Sequence, residues 1–136
     1  DMEESDGLKP CAYETIFTVR GQYLDMVLNQ RSGDMLVASG AGHWNEVQYA
    51  ALLMMVARDT GYTPGKFTHM VINEQIYDRH LEQAKVLLDR AEVSSDCSPR
   101  MLLNPEKHNF YDISIEDFSL TNYAPIKPQL SFDLGV

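Results

Sequence analysis

The sequence predicts an α+β fold, a mixed β-sheet packed against a long buried helix. Two alternating, β-favouring stretches meet at a glycine early in the chain, one long central run is apolar almost all round, and the later patterns do not alternate regularly. With 136 residues, 44% hydrophobic and 23% charged, the chain suits one globular domain, taken as residues 1–136.

Residues 1–10 lack periodicity and end in Lys9-Pro10, so they read as a lead-in loop. From Cys11 to Arg20, Tyr13, Phe17 and Val19 fall on one face and Glu14, Thr18 and Arg20 on the other. Gly21 allows a tight turn. Tyr23 to Arg31 alternates again, with Leu24, Met26, Leu28 and Gln30 opposite Asp25, Asn29 and Arg31, which makes the pair an antiparallel hairpin. Residues 32–42 carry Gly33, Gly40 and Gly42 among small neighbours and read as an irregular candidate binding loop.

Asn45 is placed to cap a helix running through EVQYAALLMMVARDT, which Gly61 ends. Such an apolar helix needs more covering surface than this chain supplies. Pro64-Gly65 marks a turn, and KFTHMVIN reads as a strand up to Asn73. A second helix is expected from Asp78 to Glu92, with Leu81, Ala84, Leu87, Leu88 and Ala91 at helical spacing. Residues 93–100 form a loop. Short strands are expected at Met101–Leu103, Ser119–Thr121 and Leu130–Asp133, with one helical turn at Ser114–Phe118.

Eleven Lys and Arg against twenty Asp and Glu give a net charge of -9, a field that repels phosphate backbones and anionic bilayers. Nucleic acid and membrane are therefore not expected partners, while one anionic small molecule can still be held by one or two well-placed arginines. No apolar run reaches the roughly eighteen residues of a membrane span, and the opening DMEESDGLKP is acidic where a secretion signal is basic. A cytoplasmic protein with Cys11 and Cys97 as free thiols is the expectation. The start at Asp1 suggests a piece of something longer.

Pro10-Cys11 sits where a stiff backbone can present a sulfur to a cleft, and the hairpin returns Arg31 toward it; an adjacent guanidinium favours a thiolate. An inert, half-buried thiol is the plainer alternative. Gln30, Arg31, Ser32 and Asp34 place one cation, two neutral hydrogen-bonding groups and one acid before the glycine-bearing loop, and Arg and Ser can share a phosphate. Asn45 reads first as a helix cap, yet its amide also matches a ring edge with a carbonyl beside an N–H. Tyr77 lies between a strand and a helix, where packing is the simpler role. His43, His69, His80 and His108 show no shared metal-ligand spacing, so no metal is expected.

LKPCAYETIFTV, LNQRSGDM, HWNEVQYAALLMMVARDTGYTPGKFTHMV, QIYDRHLEQAK and NPEKHNFYDISIEDFSLTNYAP together resemble, in order and spacing, the C-terminal, catalytic-cysteine half of thymidylate synthase. The resemblance covers essentially all of residues 8–136. It implies reductive methylation of dUMP to dTMP, with 5,10-methylenetetrahydrofolate as one-carbon and hydride donor. Cys11 would be the nucleophile that adds to the pyrimidine. Arg31 and Ser32 would hold the phosphate, Gln30 would line the site beneath the base, and Asp34 would lie between base and folate. Asn45 would read the uracil edge, and Tyr77 would bond the ribose hydroxyl beside Gln75, which stands where the family has His. Val136 would belong to the segment that closes over folate. A homodimer is implied for the full-length form. Two other readings stay open: a non-catalytic, half-length relative that binds a nucleotide or protein partner, and a related pyrimidine nucleotide hydroxymethylase.

Overall fold

The computed structural model describes residues 9–93 and 98–133. Most of the lead-in loop, Cys97 and Val136 therefore lie outside the described residues. In chain order the elements are β1 (Ala12–Arg20), β2 (Tyr23–Gln30), β3 (Gly33–Asp34), α1 (Trp44–Asp59), β4 (Thr63–Val71), β5 (Glu74–Gln75), α2 (Leu81–Val93), β6 (Arg100–Leu103) and β7 (Phe118–Thr121).

β1 and β2 form the expected antiparallel hairpin, and β4 joins the other edge of β2 in parallel, giving a mixed sheet ordered β1-β2-β4. A parallel pair cannot be joined by a tight turn, so the chain crosses over through α1 before β4 begins. Central β2 shows the pleat plainly: Leu24, Met26, Leu28 and Gln30 are buried, while Asp25, Val27 and Asn29 between them are half-buried. Leu53 and Ala57 of α1 pack on Leu24 and Met26, with Tyr49, Val56 and Phe67 around them. Each large apolar side chain buried there contributes about 1.5–3 kcal/mol.

Beyond Leu53 and Ala57, α1 is half-buried or exposed, and Trp44 and Val47 face solvent. The helix thus buries only Leu53 and Ala57 fully against the sheet, and its remaining apolar residues other than Trp44 and Val47 are half-buried. Its end is as expected: Gly61, at φ 76°, follows Thr60 and turns the chain so that Tyr62 N donates to Ala57 O. Arg58 in the last turn donates to the carbonyls of Asn104, Pro105 and Lys107, and Asp59 accepts from Phe110 N. These contacts tie the helix end to the loop after β6.

Several expectations are corrected. His43, not Asn45, occupies the N-cap in left-handed geometry, so Asn45 lies inside the first turn. Its side chain is drawn away from the helix by Gln30, as described below. Pro64 and Gly65 are strand residues of β4, not a turn. They sit at an irregularity where pairing passes from Leu24↔Pro64 to Met26↔Phe67, and Asp25 accepts from Lys66 N there; a bulge tolerates proline's missing N–H.

The loop over 32–42 is less irregular than expected, since β3 pairs in parallel with β5. Leu130–Asp133 forms no ladder: its last carbonyl, that of Asp133, accepts instead from His80 Nε2 at 2.8 Å, and Phe132 packs edge-on to that ring. The predicted turn near Ser114 is present as a 3-10 turn over Ile115–Asp117, and β6 pairs with β7 as the short strand patterns suggested.

Candidate active site

A cavity of about 470 Å³ opens where the ends of β1 and β2, the 32–42 loop, the start of α1 and the segment after β5 converge. Cys11, Gln30, Ser32, Asp34, Asn45, Gln75 and Tyr77 all line it. The hairpin explains the first of these. Arg31 N donates to Cys11 O at 2.9 Å, and the register slips between Ala12 and Glu14, so β1 leaves regular pairing beside the cysteine. Cys11 is half-buried, and the Ser32 hydroxyl donates to its sulfur at 3.5 Å.

Arg31 is brought near by its backbone but not by its charge. Its guanidinium donates to the Lys9 carbonyl at 2.9 Å, and the residue is exposed and absent from the cavity wall. Asp34 is the hub of the following loop. Its carbonyl accepts from Val37, Ala38 and Ser39 N, while Oδ1 accepts from Leu36 N at 3.1 Å. The other carboxyl oxygen lies 4.0 Å from Nδ1 of buried His80. Gly42 closes this loop so tightly that a Cβ there would collide with the Val37 carbonyl.

The base of the cavity is a buried polar cluster. Gln30, fully buried at 0% exposure, donates from Nε2 to the Ser32 carbonyl at 2.7 Å. Its Oε1 accepts from Asn45 Nδ2 at 3.0 Å and faces His69 Nε2 at 3.0 Å. His69 Nδ1 lies 2.9 Å from Glu46 Oε1, which also accepts from Gly40 N. Backbone pairing holds the far wall: β5 places Gln75, whose carbonyl accepts from Met35 N, and Tyr77 follows with Arg79 stacked over its ring at 5.9 Å.

The sequence patterns missed Gln48 and Tyr49, which also line the cavity. With Asn45 they sit at i, i+3 and i+4 of one helix face, a spacing that could have found them. They missed His69 and Glu46 too, because no local pattern marks two polar residues 23 positions apart as partners. Among the described residues no group of three or more His, Cys, Asp or Glu is placed to hold a metal, and no helix is long and apolar enough to cross a membrane.

A mixed sheet thus brings a cysteine, at the start of its first strand, into a cavity walled largely by neutral amides and hydroxyls. The thymidylate synthase family model matches residues 1–136. The thymidylate synthases of Streptococcus sanguinis strain SK36 and Streptococcus thermophilus strain LMD-9 are each 52% identical over 140 residues, which is 99% of this chain but 48% and 47% of theirs. The solved thermostable thymidylate synthase A from Bacillus subtilis superposes with a TM-score of 0.80 at 34% identity, over 90% of this chain and 42% of that one. The chain belongs to the thymidylate synthase family, and it spans less than half the length of these relatives.

Proposed function

We propose that this chain supplies the nucleophile and the nucleotide-reading wall of a thymidylate synthase that converts dUMP to dTMP with methylenetetrahydrofolate. The observation that carries the reading is that Cys11, Ser32, Asp34, Asn45 and Tyr77, from four separate segments, line one cavity. Cys11 Sγ adds to C6 of the pyrimidine, the C5–C6 electron pair moves toward C5, and charge grows on O4. Asn45 donates an Nδ2 hydrogen to O4 and accepts N3–H on Oδ1. The donated bond strengthens as that charge develops, so it favours the addition step more than simple binding.

Ser32 and Arg31 take the phosphate. Arg31 leaves the Lys9 carbonyl to do so, because a charged, bidentate phosphate outcompetes a single neutral carbonyl. Gln75 and Tyr77 serve the ribose. For the folate, a second cavity of about 790 Å³ adjoins the first across Val37 and is walled by Leu36, Trp44, Tyr123 and Phe132. Apolar and aromatic walls near the Asp34 carboxyl suit a flat nitrogen heterocycle. When bound, the folate supplies the one-carbon unit and the hydride. Asp34 and the C-terminal Val136 would orient it.

Pairing of copies into a homodimer is supported by the sheet face turned away from α1. There Ile16 and Met70 lie opposite Val27 and Asn29 and are 46% and 54% exposed.

The test is covalent capture. Protein expressed from its complete gene is incubated with 5-fluoro-dUMP and methylenetetrahydrofolate, and the Cys11 peptide is examined by mass spectrometry. A ternary adduct on Cys11 that vanishes in Cys11→Ser is expected; wild-type protein without an adduct would overturn the reading.

A further inference from the structure

We propose that His69, braced by Glu46, is a positioning residue that acts with the Ser32 carbonyl to fix which way round the Asn45 amide faces the cavity, and so favours a uracil edge over a cytosine edge. The inference deepens the proposed function and rests on its assignment of a pyrimidine nucleotide to this cavity. It is a matter of counting hydrogens. Gln30 Nε2 is committed to the Ser32 carbonyl at 2.7 Å, so Oε1 must point the other way, toward Asn45 Nδ2 and His69 Nε2, each 3.0 Å distant. An oxygen there accepts only, so His69 Nε2 carries a hydrogen. The ring is held in that orientation through Nδ1, 2.9 Å from Glu46 Oε1.

The chain of donors therefore has one polarity. Turning Asn45 over would set its Oδ1 against Gln30 Oε1, two acceptors face to face. Turning Gln30 to relieve this would aim its NH₂ group at the His69 N–H and its oxygen at the Ser32 carbonyl. Both Gln30 and the His69 side chain are buried, at 0% and 9% exposure, where an unmade hydrogen bond is costly. Asn45 is left with Oδ1 and one Nδ2 hydrogen for a ligand, in the sense that fits a ring N–H beside a carbonyl. A cytosine edge carries the reverse pattern, an acceptor nitrogen beside an amino group, and meets Asn45 donor to donor and acceptor to acceptor.

The experiment is calorimetric binding of dUMP and dCMP to protein expressed from its complete gene, as wild type, His69→Leu, Glu46→Leu and Glu46→Gln. Wild type is expected to prefer dUMP. His69→Leu and Glu46→Leu should lower the dUMP-to-dCMP affinity ratio by roughly tenfold, the scale of one lost discriminating pair. Glu46→Gln should keep the ratio, because its amide can donate to Nδ1 and leave the hydrogen on Nε2, giving up only the bond that Gly40 N donates to Oε1. If the leucine variants weaken both nucleotides alike, His69 is merely structural and the inference is overturned. Glu46 is partly exposed, so its variants decide the matter even where His69→Leu does not fold. A wild type that binds neither nucleotide overturns the proposed function itself, and this inference with it.

Discussion

At the base of the cavity Gln30 is fully buried and its amide takes part in three hydrogen bonds, whereas Arg31, the next residue, is exposed and rests its guanidinium on the Lys9 carbonyl. The pleat of β2 separates them, since neighbouring side chains point to opposite faces. The base of the site is pre-organised by groups within this chain, whereas the rim is held by one contact to a backbone carbonyl. Under the proposed function, ring recognition would draw on the ordered base and phosphate capture on the exchangeable rim.

The sharpest break of that contrast is at the support of the base. Leu28 is at 0% exposure one pleat before Gln30, so Leu28→Ala should cost about 2–5 kcal/mol of stability, read by denaturant unfolding. Next is the loop between base and rim. Gly42→Ala forces a Cβ onto the Val37 carbonyl, and about 1–3 kcal/mol of destabilisation is expected, with weaker dUMP binding because Val37 and Ala38 line the cavity.

At the rim the expectation reverses. Arg31→Ala should change stability by less than about 0.5 kcal/mol yet weaken dUMP binding roughly tenfold, and loss of stability without loss of affinity would contradict the division.

The smallest effect is a control remote from both. Hydrogen bonds from Ser114 N and the Asn104 side chain, helped by the Ser114 hydroxyl and Lys107, hold the Asp117 carboxyl below the usual aspartate range. A lowered native value means stability that is present above the ordinary aspartate range and lost as pH falls through the native one. Protection factors of β6 and β7 amides, measured against intrinsic exchange at each pH, should therefore fall in acid, and Asp117→Asn should flatten that dependence while the Gln30 cluster is unaffected.

Much of this was legible in the sequence, and the pattern of what was not is instructive. The hairpin, the buried stripe of β2 and the end of α1 at Gly61 follow from alternation and turn chemistry. These act within a few residues and need no knowledge of the rest of the chain. The short pairing of β3 with β5 has no such signature, because two residues are too few to show a period. Pro64-Gly65 was misread for the opposite reason: its local turn preference is overridden by a strand irregularity that only the partner strand creates.

By itself, the sequence determined that Gln30 points inward, that the hairpin returns Arg31 to Cys11, and that these motifs are those of the thymidylate synthase family. Only the tertiary structure decided that Asn45 serves Gln30 instead of capping its helix, that the Arg31 charge lies outside the cavity wall, and that Glu46 and His69 meet beneath it. The physical reason is distance along the chain: His69 lies 23 residues from Glu46 and 39 from Gln30. Which of these polar groups meet depends on the register of β2 against β4 and on how α1 is seated, and no local pattern encodes either.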